Sequence, residues 1–283
     1  MTIDIQPLDG GVGAEIRDVD LSAAIATSTF REIHSAWLDH SLLLFCDQQL
    51  DDPALIGFSR RFGELEPNPA SELRETGRGP SPDVWVISNV VEGGRPIGSL
   101  GAGEAEWHTD MSFIATPPMA SALYALEVPA QGGNTWFLDM TAACASIPDD
   151  LNTAIDGRRA NHSSSLTSVG DLRKGARTPT DVTAEPGTKH PLVRTHPETG
   201  ARALYLGRRN WAYIEGLSVP ESEALLDRLW AHCTQPQFMT EHVWRAGDLL
   251  LWDNRSLMHR RDAFDDSARR IMHRTQIKGD RPG

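Results

Sequence analysis

Cysteine is scarce: Cys46, Cys144 and Cys233 are the only three in 283 residues. An odd, widely spaced set provides neither a disulfide framework nor a thiolate zinc cluster, and it reads as the reduced thiols of a cytoplasmic protein. Basic charge is in short supply as well. Against 39 Asp and Glu stand 27 Lys and Arg, a formal charge of −12. That balance excludes a broad nucleic-acid or anionic-membrane surface, since both need a basic footprint. An anion bound by this chain must therefore be met by a few local arginines. No apolar run approaches the roughly 20 residues that span a bilayer. The opening "MTIDIQPLDG" has neither a basic n-region nor an apolar h-region, so no secretory signal is expected there. No GxGxxG follows a strand candidate, which counts against a doubly wound nucleotide fold.

What is present is a globular composition, 40% apolar and 23% charged, divided into many short pieces. Strand candidates are "SLLLFCDQ", "DVWVISNVV", "ASALYALEV", "NTWFLDM", "PLVRTH", "RALYLG", "EHVWRAGDLLLWDN" and "RRIMHRTQIKGD". Helical periodicity runs through "STFREIHSAWLDH", with Phe30, Ile33, Trp37 and Leu38 on one face and Ser28 as N-cap. "DDPALIGFSRRFG" opens with Asp51 or Asp52 before Pro53, a helix start. Further helices are expected at "MTAACASIPDDLNTAI" and "VPESEALLDRLWAHCTQ". Residues 66–82 read as a loop, and the polar stretch 162–189 as a long surface segment or lid. Many short strands and few helices predict a mainly β fold with flanking helices, a sandwich or jelly-roll core, in one domain over residues 1–283.

The chemistry begins at "EWHTDMSF". His108 and Asp110 are two apart, so on an extended strand their side chains share a face, as two ligands of one metal ion must. A third ligand is needed. His34, His40 and His232 fall in helical stretches, and His162, His190 and His196 border the polar segment, whereas His259 closes the apolar strand "LLLWDNRSLMHRR". Two histidines and one carboxylate that leave coordination positions open are the ligand set of non-haem Fe(II) oxygenases. A structural zinc site would instead take four protein ligands, usually with thiolates. In "RRIMHRTQI" alternation puts Arg270, Met272, Arg274 and Gln276 on one face and His273 on the other. A buried cation left unpaired costs about 3–5 kcal/mol, so each of these arginines is expected to meet a carboxylate of the protein or of a ligand. If 259–277 folds back as a hairpin, Arg270 comes near His259, where its fork suits the far carboxylate of an iron-chelating dicarboxylate.

These pieces together resemble the taurine dioxygenase and chlorophenoxyacetate dioxygenase (TauD/TfdA) family of Fe(II)/2-oxoglutarate-dependent enzymes. "RRFGELE", "ISNV", "WHTDMSF", "GGNTWFLDM", "LVRTHPETG", "WDNRSLMHR" and "ARRIMHRTQIKGD" carry the resemblance along nearly the whole chain. It implies a double-stranded β-helix, Fe(II) held by His108, Asp110 and His259, and 2-oxoglutarate held at its distal carboxylate by Thr135 and Arg270. It further implies consumption of O2 and hydroxylation of a small organic anion near Arg274, with collapse of the product where the hydroxylated carbon bears O or S. Halogenases of this chemistry lack the carboxylate ligand, so Asp110 points to hydroxylation. Asn68, Asn89 and Glu104 are further substrate-site candidates, and Arg208, Arg209 and Trp211 weaker ones. Taurine-type members carry a histidine pair after "FGEL" where this chain has Glu66-Pro67-Asn68, and Asp and Asn where it has Gly103 and Glu104. That favours an aryloxyalkanoate-like substrate over taurine, with alkylsulfonates and alkyl sulfates as the alternative. A cupin-type metal hydrolase or isomerase, or a non-catalytic anion-binding relative, would keep the ligands without needing both Arg270 and Thr135. A homo-oligomer, a dimer or tetramer, is the expected assembly.

Overall fold

The computed structural model describes residues 3–68 and 81–283; most of the expected 66–82 loop, positions 69–80, lies outside the described residues. Two sheets form the body. The larger runs Asp4–Pro7, Ala14–Arg17, Leu42–Phe45, Leu249–Asp253, Ala120–Glu127, Ile271–Ile277, Trp85–Ser88, Ser99–Leu100 in spatial order. The smaller runs Met239–His242, Thr135–Asp139, Leu257–Arg261, Ala105–His108, with every neighbouring pair antiparallel. This is the mainly β, jelly-roll arrangement expected from the pattern of short strands.

The central strands of the larger sheet are apolar on both sides, because both of its faces are covered. Leu43, Phe45, Leu249, Leu251, Ala120, Ala122 and Tyr124 join one cluster with Ile33, Ala36 and Trp37 of the helix Thr27–His40 and with Leu55 and Phe58 of the helix Asp52–Ser59. The alternate residues Leu42, Leu44, Leu123, Leu250 and Trp252 turn the other way and pack with Phe137 and Leu257 of the smaller sheet. Period-two alternation therefore splits one run, "LLLW", between two cores, each buried leucine adding roughly 1.5–3 kcal/mol. The outer face of the smaller sheet is covered by the helix Val219–Cys233 and its neighbours, through Leu138, Met258, Leu226 and Leu229.

Helix ends follow local chemistry, with two departures from expectation. Asp51 caps Asp52–Ser59 through the Ala54 N–H, and Ser218 with Glu221 closes a capping box on Val219–Cys233. The first helix instead starts at Thr27, one residue before Ser28, with Ala26 as a cap that makes no side-chain bond. "MTAACASIPDDLNTAI" is two helices, Met140–Ala145 and Asp149–Ile155, because Pro148 cannot continue a helix and is accommodated as the N-cap of the second. "EHVWRAGDLLLWDN" likewise separates into the end of Met239–His242 and Leu249–Asp253, with Gly247 at φ 91° in the turn between them. Among the described residues, no helix is long and apolar enough to cross a membrane.

The turn between Leu249–Asp253 and the His259 strand is held by a buried ionic cluster. Asp253 accepts from His196 Nε2 at 2.9 Å and from Arg255 Nη2 at 2.7 Å, and Arg255 Nη1 reaches Glu198 at 2.8 Å. Burial alone would raise the Asp253 pKa, but His196 and Arg255 outweigh it and keep the carboxyl below its ordinary range. Replacing Asp253 by Asn removes one of the two counter-charges of Arg255, leaving Glu198, and is expected to lower unfolding stability by about 1.5–3 kcal/mol. Urea unfolding of the two proteins at neutral pH measures the difference; a loss below about 1 kcal/mol, the range of exposed pairs, would show that the cluster is not what holds the turn.

Candidate active site

His108 ends the strand Ala105–His108 and His259 lies on Leu257–Arg261, directly opposite it in the antiparallel register. Their ring centroids are 4.2 Å apart. Asp110 follows two residues later in a turn where Met111 takes φ 49°. The carboxylate thereby comes back over the two rings, with Oδ1 3.8 Å from His108 Nε2 and 3.9 Å from His259 Nε2. One ligand atom from each residue falls within 4.8 Å of the other two, and all three residues are buried.

The electrostatics suit a cation. His108 Nδ1 donates to the Glu106 carbonyl at 2.7 Å, which leaves the lone pair on Nε2, facing Asp110. Desolvation, assisted by the neighbouring His259, drives the His108 pKa well below its ordinary value. Burial likewise brings His259 down to about 4, against the opposing pull of Asp110. Both imidazoles are neutral donors at physiological pH. For Asp110 burial pushes the other way, but Arg274, with Ser121, prevails and holds it ionised. Arg274 Nη1 meets its Oδ1 at 3.0 Å and Ser121 Oγ its Oδ2 at 2.7 Å. Behind Ser121, Asn254 donates to that hydroxyl and accepts from Trp252 Nε1, so the carboxylate is oriented through a chain of buried groups. Trp252 also packs against the His259 ring at 4.8 Å.

The strand Ile271–Ile277 faces this constellation from the other sheet. His259 and Arg270 are thus brought together across two sheets, and not by the single hairpin that their sequence spacing suggested. Arg270, Thr135, His259 and Arg274 line one cavity. Arg274 has Asp110 as its carboxylate. The Arg270 side chain, 2% exposed, has none among the described residues, and its Nε lacks any hydrogen-bond partner. Desolvation and the nearby Arg261 lower its pKa to about 9. Thr135 Oγ1 accepts from Trp244 Nε1 at 2.9 Å, which leaves its own O–H free to donate. A buried cation without an anion beside a free hydroxyl fits a ligand carboxylate.

The other expected residues scatter. Asn68 lines the outer cavity with Asp110 and Arg274. Asn89 instead ties the chain before the last strand, accepting from Arg270 N and donating to the carbonyls of Asp266 and Ala268. Glu104 is exposed and 3.5 Å from Arg260. Arg208 lines the cavity, whereas Arg209 is paired at the surface with Glu223 and Asp227. His273 faces away, bonded to Asp52. Arg261 was not singled out, although it lies two residues beyond His259 and opposite Thr135; its Nη2 donates to the carbonyls of Leu100 and Gly103. Arg173 carried no signal in the sequence beyond its place in the polar segment. A larger cleft of about 690 Å³ is lined by Glu15, Asp18, Asp20 and Asp47, far from this chemistry and of the wrong sign for an anion.

The pattern of the taurine catabolism dioxygenase TauD, TfdA family matches residues 4–276. The chain belongs to that family. It is 35% identical to the alpha-ketoglutarate-dependent 2,4-dichlorophenoxyacetate dioxygenase of Cupriavidus pinatubonensis over 99% of each chain. It is 32% identical to an alpha-ketoglutarate-dependent sulfate ester dioxygenase of Pseudomonas putida, over 100% of this chain and 91% of the other. The crystal structure of AAD-2 in complex with Mn(II) and N-oxalylglycine matches at a TM-score of 0.81 and 32% identity, covering 100% of this chain and 99% of that one. This TauD/TfdA member is accordingly an Fe(II)- and 2-oxoglutarate-dependent oxidoreductase.

Removal of one imidazole would leave two of the three candidate ligands. His259→Ala is expected to weaken Co(II) binding, read by calorimetry, by at least about a hundredfold, given that changes even in residues supporting metal ligands cost 10–100-fold. Unchanged Co(II) affinity would remove His259 from the metal site.

Proposed function

We propose that this dioxygenase hydroxylates a carbon of a small acid-headed molecule with an apolar body, an aryloxyalkanoate being the best fit. One observation carries the reading. The cavity beside Asp110, about 480 Å³, joins the apolar walls of Trp85, Val86, Leu100 and Phe113 to arginine side chains inside a protein of net charge −12. Its volume suits a single substituted ring. Relatives named for 2,4-dichlorophenoxyacetate and for sulfate esters act on organic anions of this kind.

His108, Asp110 and His259 would hold the iron, with Arg270 and Thr135 on the distal carboxylate of 2-oxoglutarate and Arg261 beside them. When bound, iron, cosubstrate and O2 supply the oxidising chemistry, in which 2-oxoglutarate becomes succinate and carbon dioxide and a substrate C–H gains a hydroxyl. Arg274 and Ser121 keep Asp110 ionised and oriented, and the apolar wall excludes bulk water from the reacting carbon. Where that carbon bears an ether or ester oxygen, the hydroxylated product collapses to a carbonyl compound and releases the oxygen-bound fragment.

A panel of aryloxyalkanoates, alkyl sulfates, alkylsulfonates and acylated amino acids, scored by succinate release, tests the assignment. Aryloxyalkanoates are expected to give the fastest release; a clear preference for alkyl sulfates would move the chain to that side of the family. Arg270→Ala should raise the 2-oxoglutarate KM by roughly ten- to a hundredfold, the range for a lost charge-assisted bond. An unchanged KM would dismiss its role.

A further inference from the structure

We propose that Arg173 and Arg208 form the cradle for the acid head of the substrate, while the apolar body lies against Trp85, Leu100 and Phe113. This deepens the reading above and rests on it for the identity of the reaction. The two guanidiniums come from segments 35 residues apart in sequence yet share one acceptor. Arg173 Nε donates to the Leu166 carbonyl at 3.1 Å, and Arg208 Nη1 donates to the same oxygen at 3.2 Å. That shared carbonyl holds two like charges side by side on the wall of the cavity that contains His108 and Asp110. Such a pairing repels, and Arg173 together with the larger effect of burial lowers the Arg208 pKa to about 10.

Asp110 and Glu106 offset part of that repulsion from a distance, but no carboxylate of the described residues pairs with either arginine. Among the described residues neither arginine makes an ion pair, whereas Arg209, Arg255 and Arg274 pair with Asp or Glu. Glu106 is bonded to the Asn210 amide at 2.8 Å, and Asp110 is paired with Arg274. Arg208 Nε is buried and unbonded, and the Arg173 guanidinium carbon lies over the Phe113 ring, 4.4 Å from its centroid. An oxyanion between the two forks would accept charge-assisted bonds from both and remove the repulsion. Arg274, the arginine expected to meet the substrate, already has its counter-charge in Asp110. It is therefore the poorer candidate for a second anion.

The segment that carries Arg173 is positioned, not loose. Arg173 N donates to Ser165 O at 2.8 Å, and Glu106 N donates to Ser168 O at 2.8 Å, which ties the segment to the strand bearing His108. Thr188 Oγ1 is bonded to the Phe113 carbonyl at 2.7 Å. The stretch 162–189 thus supplies one wall of the substrate cavity through Thr167, Ser168 and Arg173.

The shared chemistry of the ligand is a small oxyanion head, carboxylate or sulfate, on an apolar body. The test is calorimetric titration of the Mn(II)- and N-oxalylglycine-loaded protein with 2,4-dichlorophenoxyacetate and with hexyl sulfate. Each is set against its neutral counterpart, the corresponding amide and hexanol. At least one acid is expected to bind, and to bind at least about tenfold more tightly than its counterpart; the stronger of the two identifies the head group. Arg208→Gln and Arg173→Gln should each weaken that acid by about ten- to a hundredfold. The neutral counterparts and N-oxalylglycine itself should bind as before, an invariance that a merely structural role would not give. Equal binding of acid and neutral compound, acid affinity unchanged in both variants, or failure of both acids to bind the parent would each overturn the cradle. Should Arg208→Gln not fold, Arg173→Gln and the acid-against-neutral comparison in the parent still decide. A parent that binds the acid but forms no succinate would count against the dioxygenase reading and leave the cradle standing.

Discussion

Asp110 is the carboxylate around which the interior of this protein is organised. It is 4% exposed, lies within 4 Å of two imidazoles, and is ionised because Arg274 and Ser121 compensate for its loss of water. A buried carboxylate facing two neutral histidines is a poor arrangement for a protein that binds nothing, since the imidazole nitrogens offer lone pairs and no charge. It becomes a good one around a divalent cation. Ser121, Asn254 and Trp252 then matter because they fix Oδ2 and leave Oδ1 toward the two imidazoles.

The second organising fact is positive charge without a partner. The chain as a whole is acidic, yet Arg270, Arg261, Arg208 and Arg173 line its central cavities and none of them makes an ion pair among the described residues. Burying guanidinium groups in this way is tolerable only where an anion completes the site. The four fall into two pairs. Arg270 and Arg261 flank Thr135 at the inner end, and Arg173 and Arg208 share the Leu166 carbonyl on the wall of the outer cavity. The proposed dianionic cosubstrate and anionic substrate would take one place each.

Much of this was legible in the residue order. Alternation placed Arg270 and Arg274 on one face and His273 on the other, and the structure has them so, because a strand leaves little freedom in where successive side chains point. Capping chemistry located one start, at Asp51. Propensity failed where a tertiary surface or a single residue overrode it. Pro148 divided one apparent helix, and Gly247 divided one apparent strand. Asn89 and Glu104 looked polar enough for a pocket, but Asn89 is consumed by three backbone bonds and Glu104 faces solvent and Arg260. Arg173 could not be singled out, because nothing local distinguishes an arginine in a polar segment from one that the chain folds back onto a cavity.

The sequence by itself determined the chemistry available: a two-residue spacing that puts His108 and Asp110 on one side, a third histidine closing an apolar strand, and arginines on one face of the last strand. Local stereochemistry is enough for that, since strand geometry repeats every two residues wherever the strand is placed. Only the tertiary structure decided which of these groups meet. His259 comes opposite His108 by sheet register, and Arg270 reaches the metal side from the facing sheet. Arg208 is joined to Arg173 through the Leu166 carbonyl, 42 residues before it in the chain. Those meetings depend on long-range burial, the leucine faces pressed together between the sheets, and no local rule contains that information.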